Sequence, residues 1–153
     1  MKTQYILKNE DGTFYYSDKK MTKPHREDGP AIEWADGSKS WSLNGQRHRE
    51  DGPAVEYANG TKYWYLNGKM HREDGPAVEC ANGTKYWYLN GKMHREDGPA
   101  MEFSNGTEYW YLNGQILSKA EWEKRVTKKK TININGKPFT LEELNALIAS
   151  VKK

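Results

Sequence analysis

Apolar and polar positions recur along the chain with a period of 23 residues. The sequence His-Arg-Glu-Asp-Gly-Pro-Ala begins at His25, His48, His71 and His94. Residues 48–70 and 71–93 are identical except that Cys80 stands where the earlier copy has Tyr57. Self-similarity at a fixed period is typical of repeat proteins, in which each copy is a supersecondary unit stacked on the next. The sequence therefore predicts four tandem copies.

Each copy alternates β-prone segments with turn residues. In the second copy the segments are residues 54–58 and 61–66, followed by Asn59-Gly60 and Asn67-Gly68 respectively. Asn-Gly between alternating segments predicts a two-residue type I′ hairpin turn, because both central residues need a positive φ. Asp51-Gly52-Pro53 closes the unit, since proline cannot donate a hydrogen bond within a central strand. We therefore predict a mainly β fold made of β-hairpin repeats.

A two-residue turn at Asn59-Gly60 fixes the pairing of the hairpin by counting outward. Val55 would face Trp64 and Glu56 would face Tyr63, and alternation then sorts the side chains onto two faces. The apolar face would carry Val55, Tyr57, Trp64 and Leu66, and the wetter face Glu56, Tyr63 and Tyr65. Stacking the copies predicts a core ladder of tryptophans at Trp41, Trp64, Trp87 and Trp110.

The tyrosines and glutamates opposite that ladder form the candidate binding surface. Tyrosine supplies a large contact area with few rotatable bonds and is enriched in recognition surfaces. The alternative is that the rings only cover the second face of a thin sheet through cross-strand pairs. The predicted partner-binding residues are Tyr63, Tyr65, Tyr86, Tyr88, Tyr109, Tyr111, Glu56, Glu79 and Glu102. Nucleic acid could stack on such rings, but interleaved carboxylates repel phosphates and disfavour it as the partner.

The segment Asp-Gly-Pro-Ala-Val-Glu-Tyr-Ala-Asn-Gly-Thr-Lys-Tyr-Trp-Tyr-Leu-Asn-Gly-Lys at residues 51–69 resembles the variant MORN repeat. That repeat occurs in bacterial proteins of the YwqK antitoxin-like group and in bacteriophage proteins. The resemblance covers residues 25–116 and extends to residues 10–24 as a degraded unit. It implies an elongated, twisted antiparallel sheet that serves as a scaffold for proteins or lipids. The His-Arg-Glu-Asp-Gly-Pro variant looks most like phage sequences, which implies a host factor as a target.

The chain ends depart from the repeat pattern. An array needs caps, because its terminal copies would otherwise leave apolar surface and strand edges uncovered. Two β-prone segments flank Asp11-Gly12, so residues 1–24 are expected to form a capping hairpin before the repeats at 25–116. Residues 117–153 form a third region, which is expected to be a small α-helical cap.

This C-terminal region begins with a turn-helix unit that is then repeated. Ser118 and Thr140 each follow an Asn-Gly pair and precede a glutamate by three residues, which is the pattern of a capping box. Helices should therefore begin after each of these residues. The second helix would carry an apolar stripe that must dock on something, formed by Leu141, Leu144, Leu147, Ile148 and Val151. The helical pair either caps the last hairpin or forms a separate partner-binding or self-associating element.

The residue patterns do not favour catalysis. Each copy offers a single histidine, whereas a structural zinc site needs several ligands that converge at short spacing. A network of His, Arg and Asp that stabilises the turn is the simpler interpretation. A site repeated four times also lacks the asymmetric arrangement of acid, base and binding groups that an enzyme needs. Cys80 lies on the predicted apolar face and is expected to be a buried, inert thiol. We expect no enzymatic activity, no cofactor and no metal.

Composition and charge refine this interpretation. The chain is 12% aromatic, with ten Tyr and six Trp against three Phe, which suits a thin structure because these rings can be buried with a polar end exposed. The single cysteine does not imply an oxidising compartment, and no signal peptide or membrane-spanning segment is evident. Ten basic and fourteen acidic residues give residues 25–116 a charge of −4, whereas nine basic and four acidic residues give residues 117–153 a charge of +5.

The sequence thus predicts a non-enzymatic protein that binds another protein. The expected partner is a host factor or toxin, which this chain would inhibit or modulate in the cytoplasm, the host cytoplasm if the protein is phage-encoded. Membrane insertion is not expected. Two alternatives remain open at this stage: a small-ligand or nucleotide binder that uses the Tyr and Glu face, and a structural or assembly module.

Overall fold

The computed structural model describes residues 4–129 and 131–151. The chain divides into two compact units between Ile116 and Leu117, where the sequence changes from the repeats to the duplicated turn-helix pattern. The strands of the repeats and their flanks are β1 (Tyr5–Asn9), β2 (Gly12–Tyr16), β3 (Ile32–Trp34), β4 (Lys39–Ser40), β5 (Ser42–Leu43), β6 (Gln46–Arg47), β7 (Val55–Glu56), β8 (Lys62–Tyr63), β9 (Tyr65–Leu66), β10 (Lys69–Met70), β11 (Val78–Glu79), β12 (Lys85–Tyr86), β13 (Tyr88–Leu89), β14 (Lys92–Met93), β15 (Met101–Glu102), β16 (Glu108–Leu112) and β17 (Gln115–Leu117). The elements that follow are α1 (Lys119–Lys129), β18 (Thr131–Ile134), β19 (Lys137–Thr140) and α2 (Leu141–Val151).

Within the described ranges, eleven strands form one sheet in the order β1-β2-β3-β4-β7-β8-β11-β12-β15-β16-β17. The pairing between neighbouring strands of successive copies is antiparallel, as at β4–β7 and β8–β11. The remaining strands form two-stranded ribbons, β5–β6, β9–β10, β13–β14 and β18–β19. The prediction of a mainly β repeat fold with a small helical C-terminal part is confirmed.

The second Asn-Gly pair of each copy forms the turn that its sequence predicts. Asn67 and Gly68 both have positive φ angles, of 50° and 76°. Leu66 pairs with Lys69 across them, so the turn has two residues and joins β9 to β10. Positive φ at both central positions is the requirement of a type I′ turn, which Asn-Gly meets at low cost.

The first Asn-Gly pair forms a different turn. Gly60 has a φ of 90°, whereas Asn59 is not among the residues with positive φ. The Gly60 N–H donates to the Tyr57 carbonyl, and the Tyr57 N–H donates to the Thr61 carbonyl, each at 2.9 Å. This is a three-residue loop, a type I turn followed by a glycine bulge. The Asn59 side chain accepts a hydrogen bond from the Thr61 N–H, which stabilises the type I turn.

The additional loop residue shifts the strand pairing by one position. Val55 pairs with Tyr63 and Glu56 with Lys62, so the predicted pairing of Val55 with Trp64 is wrong. A one-residue shift moves every side chain of the second strand to the other face of the sheet. Val55 and Tyr63 therefore share one side, which we call the tyrosine face. Glu56, Lys62 and Trp64 share the other, which we call the charged face.

The core lies on the tyrosine face. Val55 is 1% exposed and Tyr65 9%, and they pack with Ala54 and with the half-buried Tyr63 and Met70. The residues equivalent to Ala54 are fully buried in every copy: Ala31, Ala77 and Ala100. The predicted core ladder of tryptophans is therefore wrong. Its members are only half-buried: Trp41, Trp64, Trp87 and Trp110.

The N-terminal hairpin is present as predicted, with β1 paired to β2. A side chain at Gly12 is excluded, because a Cβ atom there would lie 2.1 Å from the Glu33 carbonyl oxygen. The Tyr15 N–H donates to the Ala31 carbonyl, as the Trp41 N–H donates to that of Ala54. Tyr15 therefore takes the position of the repeat tryptophan, and this hairpin is a degraded copy of the unit.

Both predicted capping boxes are confirmed. Glu121 accepts hydrogen bonds from the Ser118 N–H and hydroxyl, and Ser118 Oγ accepts from the Glu121 N–H; Thr140 and Glu143 repeat this arrangement. Helices α1 and α2 begin at the next residues. Neither helix is long and apolar enough to cross a membrane, among the residues that the structure describes.

The two helices bury their apolar stripes to different extents. Trp122 and Val126 of α1 are buried. In α2, Leu147 is 49% exposed and Ile148 54%, so the stripe that was expected to dock is half-exposed at these two positions. The side chains of Leu141 and Val151 lie outside the described residues.

Candidate partner-binding surfaces

The arginine of each His-Arg-Glu-Asp segment is the centre of a hydrogen-bond network. Arg72 Nε donates to Asp74 at 3.0 Å, and its Nη1 donates to the Pro76 carbonyl at 3.3 Å and to Glu79 at 2.9 Å. The guanidinium also lies over the Trp64 ring, 4.2 Å from its centroid, in cation–π geometry. The same hydrogen bonds recur at Arg26, Arg49 and Arg95.

The histidine of each segment ties its loop to the turn of the following ribbon. The backbone N–H of His71 donates to the Trp64 carbonyl. The ring nitrogen Nδ1 of His71 accepts from the backbone N–H of Asn90 at 3.1 Å. Because Nδ1 accepts, the imidazole proton of the neutral ring is on Nε2, which lies 3.6 Å from Glu73. Of the network of His, Arg and Asp that the sequence indicated, the bond between Arg72 and Asp74 is present, whereas His71 contacts Asn90 and Glu73. Within the described residues, no three or more His, Cys, Asp or Glu side chains are placed to hold a metal ion.

These networks change the ionisation of the loop aspartates. The hydrogen bond from Arg72 and, second, its positive charge lower the pKa of Asp74. Arg26 and Arg49 lower the pKa of Asp28 and Asp51 in the same order of causes. A carboxyl group whose pKa is lower in the folded state stabilises the fold above the pKa it has when unfolded, about 3.9 for aspartate. That contribution is lost as the pH falls through the lowered, folded-state pKa.

We therefore expect acid to destabilise the protein partly through these loops. The double variant Asp51→Asn/Asp74→Asn should show a shallower fall in melting temperature below about pH 4 than the wild type, because two of the titrating groups are removed. Melting temperatures measured by circular dichroism from pH 7 to pH 2 test this. Glu10→Gln removes an exposed carboxylate outside the loops and is the matched control. If the melting temperature falls equally steeply with pH in the double variant and in the wild type, the loop aspartates do not contribute to acid destabilisation.

The charged face carries an alternating ladder of glutamate and lysine. Lys62 lies opposite Glu56 on one side and Glu79 on the other, and Lys85 lies opposite Glu79 and Glu102. Opposite charges on neighbouring strands stabilise a sheet. At the end of the ladder Glu102 faces another carboxylate, that of Glu108.

The glutamates of the predicted site therefore do not line the same surface as the tyrosines. Glu56, Glu79 and Glu102 lie on the charged face, and each accepts a hydrogen bond from a loop arginine. The one-residue shift in pairing is the reason, because it separates Tyr63 from Glu56. In this structure their carboxylates form ion pairs with the loop arginines and lie on strands next to Lys62 and Lys85.

The tyrosines of the predicted site divide into two groups. Tyr65 is buried in the core, and Tyr88 and Tyr111 at the same repeat position are half-buried. Tyr63, Tyr86 and Tyr109 lie on the tyrosine face of the eleven-stranded sheet, where they pair with Val55, Val78 and Met101. Tyr109 is 41% exposed, whereas Tyr63 and Tyr86 are half-buried.

Two residues that the site prediction did not include join these rings. Tyr57 packs edge-on against Tyr63 with 5.8 Å between ring centroids. Phe103 packs edge-on against both Tyr86, at 6.1 Å, and Tyr109, at 6.0 Å. Tyr57 and Phe103 occupy the same position of the second and fourth copies, two residues after the core valine or methionine, and this spacing was the signal that could have revealed them. We call these five rings the aromatic row: Tyr57, Tyr63, Tyr86, Phe103 and Tyr109.

Cys80 interrupts the aromatic row between Tyr63 and Tyr86. Burial raises the pKa of both tyrosines, and the neighbouring Cys80 contributes in second place. Burial also raises the pKa of the Cys80 thiol, which is half-buried. The thiol therefore stays protonated at neutral pH and is a poor nucleophile, in keeping with its expected inertness.

Comparison of the chain with protein-family models, curated proteins and solved structures found no match. The similarity to variant MORN repeats therefore rests on the residues alone.

Proposed function

We propose that this chain is a non-enzymatic protein-binding repeat protein that contacts its partner through the aromatic row. The observation that carries this proposal is that the row is exposed at both ends, where Tyr57 and Tyr109 are 42% and 41% exposed, and half-buried between them. Exposed aromatic side chains grouped on one surface are characteristic of interaction sites, where tyrosine combines an apolar ring with a hydrogen-bonding hydroxyl. Edge-on packing holds neighbouring rings in place, so little side-chain entropy is lost on binding.

The charged face is less suited to this role. Its arginines, glutamates and loop carbonyls already hydrogen-bond within the chain, so a partner would have to displace these bonds. The grooves between successive loops, such as the one of about 770 Å³ lined by Trp64 and Arg72, are lined by these same groups. A repeating network with this many internal bonds supports a structural role.

The partner is proposed to be a host factor or toxin, which the chain would inhibit or modulate in the cytoplasm. The support for this partner class is the resemblance of residues 25–116 to phage and antitoxin-like repeats. The chemistry of the row adds that the partner should offer an apolar surface with hydrogen-bonding groups at its rim, because the row consists of neutral rings bearing four tyrosine hydroxyls.

The double variant Tyr57→Ser/Tyr109→Ser tests the surface. Both side chains are exposed, at 42% and 41%, so their truncation should leave the fold intact while reducing partner capture about tenfold or more. The measurement is affinity capture from a bacterial lysate with quantitative mass spectrometry, comparing the variant with the wild type. Capture that is unchanged in a folded double variant would refute the assignment of the surface.

The matched control changes the charged loops. Glu50→Gln/Glu73→Gln alters two carboxylates whose side chains are 85% exposed and leaves the aromatic row untouched. It should capture the same proteins as the wild type. If the control loses the partner and the tyrosine variant retains it, the loops are the binding surface instead.

A further inference from the structure

The fourth copy shows how a complete aromatic row is built. Met101 pairs with Tyr86 on one neighbouring strand and with Tyr109 on the other. Phe103 lies two residues further along the same chain segment, and its ring packs edge-on between these two tyrosines. One ring thus bridges two copies.

The third copy has the same backbone arrangement without the bridging ring. Val78 pairs with Tyr63 on one side and with Tyr86 on the other, as Met101 does with its own two tyrosines. Cys80 lies two residues further along, in the position that Phe103 occupies one copy later. Its N–H donates to Thr84 and its carbonyl accepts from Gly83, matching the bonds that Phe103 makes to Thr107 and Gly106.

A thiol fills only part of the space that a phenyl ring takes at this position. The space between Tyr63 and Tyr86 therefore lacks a ring like that of Phe103, which bridges Tyr86 and Tyr109. We call this break in the row the gap. It lies in the middle of the aromatic row, with the ring pair of Tyr57 and Tyr63 on one side and the rings of Tyr86, Phe103 and Tyr109 on the other.

We propose that the gap receives an aromatic side chain, Phe or Tyr, from the protein partner, which packs edge-on between Tyr63 and Tyr86 as Phe103 does between Tyr86 and Tyr109. The inference rests on the proposed function and specifies the chemistry of the partner. A ring is the group that fits, because the equivalent position holds one in each of the other copies: Trp34, Tyr57 and Phe103. A neutral ring is also what the other three copies place at this position.

The gap can be tested with p-cresol, the isolated side chain of tyrosine, on the full chain. Binding should appear as saturable NMR shifts of the Val78 methyl groups and of the Tyr63 and Tyr86 ring signals. Cys80→Tyr should abolish these shifts, because the new ring fills the gap. That variant makes the third copy identical to the second, and Phe103 shows that a ring fits this position between two tyrosines. Cys80→Ala removes the thiol but keeps the gap, and should bind p-cresol as the wild type does.

Absence of saturable shifts in the wild type, or equal shifts in Cys80→Tyr, would overturn the inference. Partner capture separates it from the proposed function. If the partner uses the gap, Cys80→Tyr should lower capture about tenfold or more, and Cys80→Ala should not. Normal capture by Cys80→Tyr, together with loss in Tyr57→Ser/Tyr109→Ser, would overturn the gap and leave the aromatic row as the binding surface.

Discussion

Replacing Tyr65 by alanine is expected to lower the free energy of unfolding by about 3–5 kcal/mol, the range for truncating a large buried aromatic side chain. Tyr65 is 9% exposed and packs with Ala54, Val55 and Met70, and its ring stacks on that of Tyr63 at 6.5 Å. Its removal would leave a cavity at the centre of the second copy. Chemical denaturation followed by tryptophan fluorescence measures the loss.

Tyr57→Ala is the matched control, because it removes the same side chain from the same copy at an exposed position. We expect it to cost about 1 kcal/mol or less, the worth of one edge-on aromatic contact. The pairing predicted from the sequence gives the opposite order, with Tyr57 on the apolar face and Tyr65 on the wetter one. A larger loss for Tyr57→Ala than for Tyr65→Ala would therefore restore that pairing and contradict the structure.

Replacing Arg72 by alanine is expected to cost about 2–4 kcal/mol. The largest part of this loss in stability comes from the Pro76 carbonyl and the Glu79 carboxylate. Both are only partly accessible to solvent, and both lose the hydrogen bond that the charged guanidinium donates. Loss of the cation–π contact with Trp64 adds to it. The ion pair with Asp74 contributes little, because that carboxylate is 84% exposed and water screens it.

Arg72→Lys tests whether the shape of the guanidinium matters in addition to its charge. Lysine cannot donate to three acceptors in a planar fork and still lie flat over a ring, so we expect it to retain less than half of the stabilisation. Arg47→Ala is the control, since Arg47 is exposed and makes weaker contacts, with its guanidinium 5.3 Å from the Tyr65 ring centroid and a 3.4 Å hydrogen bond to the Tyr65 hydroxyl. If Arg72→Lys has the melting temperature of the wild type, a positive charge at this position is sufficient for the stabilisation and the shape of the guanidinium is not needed.

Local sequence patterns predicted the elements whose stability depends on near neighbours. The Asn67-Gly68 turn, the hairpin around Asp11-Gly12 and the capping boxes at Ser118 and Thr140 are all present. In each of these the hydrogen bonds or φ angles involve residues close together in the chain, so residue type and spacing are sufficient. The network of the His-Arg-Glu-Asp segments was also predictable, because Arg72 reaches Asp74 two residues away and Glu79 seven residues away.

The division into faces was not predictable in this way. Asn-Gly is compatible with both a two-residue type I′ turn and a three-residue loop that ends in a glycine bulge. The difference of one residue at Asn59-Gly60 decides whether Trp64 or Tyr63 shares a face with Val55. The sequence favoured the shorter turn, and the predicted site consequently placed Tyr63 beside Glu56.

By itself, then, the sequence determined the repeat, its hairpins, its loop networks and its helix caps, all through interactions of short range along the chain. Only the tertiary structure showed which of the two hairpin registers forms. This register packs Val55 with Tyr65 in the core. It also places Arg72 over Trp64 and in hydrogen-bonding distance of Glu79, so the apolar packing on one face and the polar contacts on the other form together. The aromatic row and its gap at Cys80 exist only in that register, because it brings Tyr63, Tyr86 and Tyr109 onto the face that carries Val55, Val78 and Met101.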